Sequence, residues 1–419
     1  MTPEVRDRIE KIWRGKVLEG YKSSKNAVIP QTWVCVALGD LGESKNGLNF
    51  HRDDEGYSIR VLGVGDFKDK TVIRSLEALE EVSLSAEPDS DYLLQNGDIV
   101  FVRSNGSKEL VGRNLLVYPN DIKVSYSGFC IRYRMKDTKL TTPEYLNFLL
   151  DSGALKKKLQ KENQGSNISN LNQDILSELI VVLPADRSEQ SSILQILNLQ
   201  DKVIELKEKR LAEKQRQKKY LAKQMFSGMK CVVPLSELAL ITMGQSPSSE
   251  TYNTSFNGVP LIQGNANISN RKTFPRMYTT SPTKICSPGD ILISVRAPVG
   301  TVARSTISAC IGRGICSIRP KRMSDYIYEY LLYYEDKWGR VSQGSTFESI
   351  SGDDIGKLSI PQHQESDQVA KMLTFAGKEI DLLSQDIEQE KRKKKALMQL
   401  LLTGIVRVPI KGNKERTCQ

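Results

Sequence analysis

The feature that most constrains this chain is an internal repeat. Residues 189–228 and 365–404 align without a gap at an offset of 176, and ten of the 40 aligned positions are identical. Both segments finish at a glycine, Gly228 in the first and Gly404 in the second. Self-similarity over a fixed period is typical of a duplicated architectural unit. The sequence therefore predicts a fold with two related halves.

The repeat extends towards the N-terminus of each half. Asn96-Gly97-Asp98-Ile99 matches Pro288-Gly289-Asp290-Ile291, and Gln164-Gly165-Ser166 matches Gln343-Gly344-Ser345. Each half is predicted to be a globular block followed by one long helix. The predicted boundaries are 1–27 for an N-terminal helical segment, 28–184 for block one, 185–228 for the first long helix, 229–361 for block two, 362–405 for the second long helix and 406–419 for a tail.

Each long helix carries an apolar stripe with an average period of 3.5 residues, which is typical of a coiled-coil seam. A lone helix of about 40 residues has no surface on which to bury such a stripe, so the two helices are predicted to pair, with room for an antiparallel arrangement. The predicted interface positions are Ile193, Leu197, Ile204, Leu211, Leu221 and Met225 in the first helix and Val369, Leu373, Ile380, Leu383, Ile387, Leu397 and Leu401 in the second.

Both seams become polar in the stretches Glu213–Lys219 and Glu390–Lys395. These stretches are interpreted either as a solvated face or as a docking patch for another subunit or for phosphate. Both helices are predicted to stop at their terminal glycines, Gly228 and Gly404, because glycine readily adopts the left-handed conformation that ends a helix.

The globular blocks have the pattern of mixed α/β domains. Short β-like runs such as Ile99–Val102, Ile180–Leu183 and Ile291–Val295 are separated by Gly, Asn and Pro. The predicted fold class is α/β, with two α+β globular domains that are pseudo-repeats of each other and long antiparallel coiled-coil helices. In the N-terminal segment, Val5, Ile9, Ile12 and Trp13 fall on one helical face, which is expected to pack against the coiled coil.

Composition narrows the possible functions. Lys and Arg total 60 against 50 Asp and Glu, so the net charge is +10, which permits a nucleic-acid partner without demanding one. Seven cysteines without a Cys-x-x-Cys pair indicate reduced thiols and a cytoplasmic location. No run approaches the roughly 18 apolar residues of a membrane span, and the charged start does not resemble a signal peptide.

Catalytic signatures were not found in the sequence. The only histidines are His51 and His363, which makes a zinc site or a histidine-dependent nucleophile improbable. Gly63-Val64-Gly65 lacks the third glycine of a dinucleotide fingerprint, and no phosphate loop or Asn-Pro-Pro-aromatic methyltransferase motif occurs. Asp353-Asp354 is interpreted as a helix start. We therefore expect a non-catalytic chain that holds no metal or cofactor itself.

Recognition of nucleic acid fits the residues better. Base edges are recognised by Arg, Lys, Asn, Gln and Ser, because these side chains offer paired donors and acceptors. Such residues are common here on glycine-bearing loop stretches, although Asn, Ser and Gly also simply mark turns. The candidate DNA-binding residues are Lys45, Asn46, Asn49, Arg103, Asn105, Lys108, Arg113, Gln164 and Asn167 in block one and Gln245, Ser246, Gln263, Asn265, Asn267, Arg271, Lys272, Arg296 and Gln343 in block two.

The duplication sorts these candidates. Features shared by both blocks should serve the fold or the phosphate backbone, which is the same everywhere, whereas features that differ should carry sequence preference. Arg103 and Arg296, which follow the two Gly-Asp-Ile strands with a one-residue shift, are thus predicted to be framework or phosphate residues. The segments Lys45–Asn49 and Gln263–Lys272 are predicted to make base contacts.

The sequence resembles the specificity (S) subunit of type I restriction–modification systems over nearly its whole length. The resemblance is carried at the entry to block one by Ile29-Pro30-Gln31-Thr32-Trp33 and Leu38-Gly39-Asp40-Leu41. In block two it is carried by Pro234–Ala239, Gly244–Ser248, Pro288–Gly300 and Gln343–Thr346, and at the helix ends by Leu221–Gly228 and Leu397–Gly404. Block one departs from the pattern, since Asn96-Gly97-Asp98-Ile99 continues without the Arg-Ala-Pro-x-Gly of block two.

The resemblance implies that each block is a target recognition domain that binds one half of a split, asymmetric site in double-stranded DNA. The helices would form an antiparallel coiled coil that fixes the gap and docks two methyltransferase (M) subunits. Two motor-nuclease (R) subunits would join for cleavage. S-adenosylmethionine, ATP and Mg²⁺ would be bound by these partner subunits, in the cytoplasm of a bacterium or archaeon.

Other functions remain open at this point. The chain could be the specificity subunit of a related type IIB- or IIG-like modification enzyme, or a coiled-coil scaffold without a role in DNA binding. An RNA-binding module is disfavoured because no RRM-like aromatic stacking motif is visible. A self-contained nuclease or methyltransferase is disfavoured by the missing motifs.

Overall fold

The structure is a computed structural model that describes residues 3–24, 27–50, 55–67, 70–104, 110–154, 170–228, 231–338 and 349–408. The chain divides into two compact units. Unit 1 comprises Met1–Glu205 with Glu388–Gln419, and unit 2 comprises Leu206–Ile387. Block one lies within unit 1 and block two within unit 2.

The α-helices of the described residues include seven short ones and two long ones. The short helices are α1 (Pro3–Trp13), α2 (Leu38–Leu41), α3 (Pro143–Leu149), α4 (Gln173–Ser177), α6 (Leu235–Leu238), α7 (Ser324–Tyr334) and α8 (Gly352–Gly356). The long ones are α5 (Arg187–Phe226) and α9 (Ser366–Leu401).

The strands of unit 1 pair mostly antiparallel. They are β1 (Tyr21–Ser24), β2 (Ala27–Pro30), β3 (Trp33–Ala37), β4 (Gly42–Asn46), β5 (Tyr57–Leu62), β6 (Val72–Ile73), β7 (Glu81–Leu84), β8 (Asp98–Val102), β9 (Asn114–Val117), β10 (Val124–Tyr126), β11 (Cys130–Met135) and β12 (Ile180–Pro184). The main sheet has the order β4-β11-β8-β9-β6, with β6 parallel to β9. A second sheet has the order β10-β5-β7, and β12 pairs with β3.

The strands of unit 2 repeat this plan. They are β13 (Val232–Pro234), β14 (Ala239–Met243), β15 (Tyr252–Asn253), β16 (Val259–Ile262), β17 (Ile268–Ser269), β18 (Lys272–Thr273), β19 (Met277–Thr279), β20 (Ile285–Cys286), β21 (Ile291–Ser294), β22 (Val302–Arg304), β23 (Ala309–Ile311), β24 (Ile315–Pro320) and β25 (Ser359–Pro361). The main sheet has the order β14-β24-β21-β22-β18-β17, and β13 pairs with β25 as β3 pairs with β12. The predicted class of two pseudo-repeated α/β domains with long helices is confirmed.

The two units use the same kind of core. In unit 1, buried β8 and β11 residues pack with α3 and with Ile193 and Leu197 of α5. In unit 2, buried β21 and β24 residues pack with α7 and with Val369 and Leu373 of α9. Each block thus packs against the first turns of the long helix that follows it in the chain, because the helix buries its apolar stripe there.

The long helices pair antiparallel in both units. In unit 1, Gln200 Nε2 donates to Glu390 Oε2 at 2.7 Å, and Lys394 Nζ lies 2.6 Å from Asp201 Oδ1. In unit 2, Lys207 Nζ lies 2.8 Å from Asp386 Oδ2, and Lys214 Nζ lies 2.9 Å from Glu379 Oε1. As the numbers rise along α5, the numbers of the partners on α9 fall.

All thirteen predicted seam positions are buried or partly buried, and none is exposed. The polar stretch has a structural role in part, since Lys214, Lys218 and Lys394 form ion pairs with acidic residues of other segments. The remaining residues of Glu213–Lys219 are exposed. Both helices stop where predicted, because Gly228 and Gly404 adopt left-handed φ values of 79° and 70°.

The prediction of a helical segment over residues 1–27 is wrong in its second half. Helix α1 ends at Trp13, and Tyr21–Ser24 forms β1, which pairs antiparallel with β2. Gly15 and Gly20 have φ values of 79° and 78°, so the chain leaves the helix there and turns into a strand. Ile9 and Ile12 are buried and pack near Leu400 and Ile405, but the Trp13 side chain is exposed.

Candidate nucleic-acid interface

Three polar loops of block two meet at the end of its main sheet. Ser246 Oγ accepts a hydrogen bond from the Arg313 backbone N–H at 3.1 Å, and the Gln245 N–H donates to the Ile311 carbonyl at 2.9 Å. Gln263 Nε2 donates to Tyr252 Oη at 3.1 Å. The side chains of Gln245 and Arg313 are exposed, so this loop cluster presents amide and guanidinium donors to solvent.

The close approach of these loops depends on glycine. A Cβ on Gly244 would collide with the Gly312 carbonyl oxygen, and a Cβ on Gly314 would collide with the Gln263 carbonyl oxygen. Any larger residue at either position would push the segments apart. The glycines flanking Arg313 therefore hold the backbone against the neighbouring loop while the arginine side chain points away from the packed contact.

Block one builds a corresponding cluster from Gly47–Asn49, the turn 127–129 and Arg103. The Gly128 N–H donates to the Leu48 carbonyl at 2.6 Å, and the Arg103 N–H donates to the Phe129 carbonyl at 2.8 Å. Arg103 Nη1 also donates to the Gly128 carbonyl at 3.3 Å. The Phe129 ring is 63% exposed although its backbone is bonded on both sides.

Strand register shows which residues of the two clusters are equivalent. In block one Ile131 pairs with Asn46, and in block two Cys316 pairs with Met243. The Gly47 N–H donates to the Cys130 carbonyl at 3.1 Å, and the Gly244 N–H donates to the Ile315 carbonyl at 2.9 Å. Counting back along β11 and β24, Ser127–Phe129 (the block-one tip) is equivalent to Gly312–Gly314 (the block-two tip).

The same register shows that Arg103 and Arg296 do not occupy equivalent positions. The Arg103 N–H bonds to the Phe129 carbonyl, and the residue that makes the equivalent bond in block two is Val295, to the Gly314 carbonyl at 2.9 Å. Because side chains alternate between the two faces of a strand, a shift of one residue reverses the face. Arg296 is exposed whereas Arg103 is half-buried, so the grouping of the two as one shared feature does not fit the structure.

A different pair of residues is the shared framework. Arg134 binds Asp98 through two hydrogen bonds of 2.8 and 2.7 Å, and Arg319 binds Asp290 through two of 2.8 Å. Burial by itself would raise the pKa of Asp290, but hydrogen bonds from Arg319, Ser317 and the Ser287 N–H hold that pKa below its usual value. The repeated Gly-Asp-Ile motif thus anchors the start of β8 and of β21.

The remaining block-one candidates are placed as follows. Lys45 Nζ lies 3.2 Å from Asp91 Oδ2 and 4.1 Å from the centre of the Tyr92 ring. Asn46 Oδ1 is buried and has no hydrogen-bond partner among the described residues, Asn49 is exposed beside Gly128, and Arg113 is partly buried. Asn105, Lys108, Gln164 and Asn167 lie outside the described residues, as does Gln343 of block two.

Two block-two candidates make contacts within the fold. The buried Asn267 accepts a hydrogen bond from the Gln263 N–H at 3.0 Å and donates to the Phe274 carbonyl, so its amide is used within its own loop. Arg271 donates to the Val302 carbonyl at 3.2 Å and pairs with Glu335. A base contact does not fit the buried Asn267, whereas Arg271 is exposed and its predicted contact stays a prediction. Lys272 is exposed and Asn265 partly buried.

Sequence reasoning missed the two side chains that protrude most clearly from the tips. Arg313 is exposed between Gly312 and Gly314, and this Gly-Arg-Gly pattern was visible in the sequence as an arginine between two turn residues. Phe129 follows Gly128 in a stretch that reads as a continuous apolar run into β11. Its exposure could not be read from the pattern, because only the register of β11 places it beyond the end of the strand.

The described residues contain no group of three or more His, Cys, Asp or Glu side chains placed to hold a metal ion. Burial raises the pKa of Cys130 and of Cys316 to about 12, so neither thiol is a reactive nucleophile at neutral pH. Among the described residues, no helix has both the length and the apolar composition that a membrane span requires.

Comparison with known proteins identifies the family. The model of the type I restriction modification DNA specificity domain matches the chain twice, over residues 30–214 and 227–391. The chain belongs to the family of type I restriction–modification specificity subunits. The two matches repeat the division into two halves, each with a block and the start of its long helix.

Individual relatives agree with this specificity-subunit assignment. The chain is 31% identical over 421 residues to the protein named as the type I restriction enzyme MjaX specificity subunit of Methanocaldococcus jannaschii, covering 93% of this chain and 97% of that protein. It superimposes with a TM-score of 0.60 on a chain from a structural study of complex assembly and conformational transition of the type I R-M system, at 22% identity, covering 90% of this chain and 99% of that chain. The type I specificity subunit of M. genitalium gives a TM-score of 0.51 at 15% identity, covering 93% of this chain and 98% of that chain.

The family fixes the coarse function of this specificity subunit. Its role is to supply DNA sequence specificity in a type I restriction–modification system. The solved structures bear on the fold alone, and they share with this chain the mixed α/β blocks and long helices.

Proposed function

We propose that block one and block two each recognise one half of an interrupted, asymmetric site in double-stranded DNA. The observation that carries this proposal is the pair of equivalent loop clusters, which share backbone hydrogen bonds and differ in their exposed side chains. A shared backbone suits a common way of docking on the duplex. Different side chains at equivalent positions suit different sequences, because base edges are distinguished by the donors and acceptors that reach them.

The long helices set the gap between the half-sites in this proposal. A pair of antiparallel helices resists bending better than a single helix, and its length is fixed by about 1.5 Å per residue. The ion pairs between α5 and α9 and the buried seam support a stiff spacer. Two recognition sites on a stiff spacer select half-sites at one separation.

The long helices also dock two methyltransferase subunits. The described residues of the two helices expose six large apolar side chains, and four of them form two pairs related by the offset of 176: Leu199 with Phe375, and Leu206 with Leu382. Exposed apolar side chains are costly in a lone protein and are typical of interfaces. A duplicated exposed surface fits two copies of one partner. S-adenosylmethionine, ATP and Mg²⁺ are assigned to the methyltransferase subunits and to two motor-nuclease subunits.

The experiment is to assemble the chain with its methyltransferase partner and map the methylated adenines in genomic DNA. The expected result is one motif with two short specified parts separated by a fixed unspecified gap. A continuous motif, or methylation without sequence preference, would refute the proposal. As a test of docking, Leu199→Asp and Phe375→Asp should each remove one bound methyltransferase subunit in native mass spectrometry, while Tyr220→Asp, a change of an equally exposed side chain without such a partner in the repeat, should remove none.

A further inference from the structure

The two tips occupy equivalent places in the two blocks but expose different kinds of side chain. At the block-one tip, Phe129 is an exposed apolar ring, and at the block-two tip Arg313 is an exposed cation. By register, Phe129 corresponds to Gly314 and Arg313 corresponds to Gly128. Each tip thus carries one large side chain, on neighbouring positions of the same turn.

Local packing disfavours the exchange of side chains between the tips, more strongly in block two. A Cβ on Gly314 would collide with the Gln263 carbonyl oxygen, which is backbone, so a phenylalanine has no room at that position of block two. A Cβ on Gly128 would meet Asn49 Oδ1, so an arginine at that position of block one requires the exposed Asn49 side chain to turn away. The loops around each tip therefore favour the side chain that the tip carries.

The tips are also held rigidly. In block one, the Cys130 N–H donates to the Ser127 carbonyl at 2.8 Å, and in block two the Ile315 N–H donates to the Gly312 carbonyl at 3.0 Å. The Phe129 N–H is bonded to Ser127 Oγ at 3.3 Å and the Arg313 N–H to Ser246 Oγ. A side chain on an ordered backbone loses less conformational entropy on binding, and an aromatic ring has only two side-chain torsions to restrict.

Nothing within the described chain gives either side chain a role in folding. Phe129 is 63% exposed. No ion pair with a described acidic residue is seen for Arg313, which contrasts with Arg271, paired with Glu335 in the same block. Next to Phe129, the Arg103 guanidinium makes one hydrogen bond with the described residues, to the Gly128 carbonyl. A guanidinium has five N–H donors, so further donors can bind an anionic partner.

We infer that Phe129 and Arg313 are the principal specificity-determining residues of their blocks, with Phe129 making an apolar contact to a base and Arg313 donating hydrogen bonds to a base edge. A phenylalanine side chain distinguishes thymine from other bases by contact with its methyl group. The planar guanidinium group of arginine donates two hydrogen bonds to the O6 and N7 acceptors of guanine. The inference rests on the proposed function. It adds which residue of each block distinguishes one base from another.

The test is the methylation motif of the assembled complex with Phe129→Ala, Phe129→Leu, Arg313→Ala or Arg313→Lys. Arg313→Ala and Arg313→Lys are both expected to relax one base pair of the block-two half by about 10- to 100-fold and to leave the block-one half intact. Lysine keeps the charge but not the planar fork, so a phosphate contact would survive this change. Phe129→Ala is expected to relax one base pair of the block-one half, and Phe129→Leu to relax the same pair less.

Two matched variants are the controls. Trp13→Ala removes an aromatic ring that is 61% exposed outside both blocks, and Arg322→Ala removes an exposed arginine after β24, at the other end of that strand from Arg313. Neither should change the motif. If the wild-type motif is split but all four tip variants keep it, or if Arg313→Ala weakens binding to every sequence equally, the inference is wrong and the proposed function stands. If the wild type gives no split motif, the proposed function itself fails.

Discussion

The block-one tip and the block-two tip are equivalent turns that carry different side chains. Both follow a buried strand, both are closed by a bond between the same two backbone positions, and both are packed against a glycine of the neighbouring loop, Gly47 or Gly244. One tip exposes Phe129 and the other exposes Arg313. The comparison teaches that the two blocks share the backbone of the turn and its Asp–Arg anchor, whereas the side chains that the turn exposes differ.

The largest test of this comparison is the exchange of a whole block. Replacing residues 231–361 with the second block of another family member should change one half of the DNA target completely and leave the other half as it was, because each core is closed within its own unit. Mapping of methylated bases measures the outcome. A change in both halves would show that the blocks do not act independently.

The next test lengthens the paired long helices α5 and α9. Insertion of seven residues into both α5 and α9, at the facing positions Lys207 and Asp386, keeps the heptad seam in register. The insertion lengthens the helices by about 10 Å, so the unread gap should grow by about three base pairs at 3.4 Å each. The same insertion in the exposed loop at Asp137–Lys139 is the control, and the gap should not change there. A change in either half-site would contradict the proposed role of the helices.

The repeated Asp–Arg anchor provides a comparison of smaller effects. Asp98→Asn should destabilise block one by about 3 kcal/mol, because it leaves the largely buried Arg134 without its counter-charge. Asp290→Asn should cost block two less, about 1–2 kcal/mol, since Arg319 is half-exposed and water can replace the lost carboxylate. Hydrogen exchange of the β8 and β21 amides measures both losses. Equal losses would show that the exposure of the arginine does not set the cost.

The pH dependence of the Asp290 anchor has a definite sign. Because the pKa of Asp290 is lowered in the folded chain, its stabilisation is present above the unfolded-state pKa and is lost as pH falls through the folded-state pKa. The difference in stability between wild type and Asp290→Asn should therefore be full at neutral pH and shrink in acid. A difference that grows in acid would contradict the assignment of the anchor to the ionised carboxylate.

The smallest effect is expected in the helix seam. Lys214→Glu should destabilise the pairing of α5 and α9 in unit 2 by about 0.5–1 kcal/mol, and Glu379→Lys in the same chain should restore most of it, because both side chains are only partly buried. Thermal unfolding of the single and double variants measures the coupling. Charge reversal of the exposed pair Lys202 and Glu205, on one helix, is the control and should change little. Without rescue in the double variant, the seam ion pair does not contribute.

Much of the architecture could be predicted from the sequence. The apolar stripe at a period of 3.5 residues predicted positions that are all buried or partly buried, and the offset of 176 predicted two related units. These features are predictable because they depend on residues that repeat at short spacing along one element. The N-terminal segment was misjudged because the helical period of Ile9 and Ile12 was extended past Gly15 and Gly20, whose left-handed backbone turns the chain into β1.

The candidate site was only partly predictable. Gln245, Ser246 and Gln263 were selected from composition and do lie together, but Asn267 was selected by the same rule and its amide is used within its own loop. A polar side chain in a loop reads the same in sequence whether it points to solvent or closes a turn. Only its hydrogen-bond partners in the folded chain decide between the two.

The sequence by itself determined that this protein has two halves, long paired helices and glycine-rich polar loops, because helical period, repeats and turn residues are local properties of the chain. The tertiary structure alone decided that Arg103 is equivalent to Val295 and not to Arg296. It also decided that Phe129 and Arg313 lie on equivalent turns of the two blocks. Those relations are set by the register between strands far apart in sequence, where a shift of one residue moves a side chain to the opposite face of the sheet.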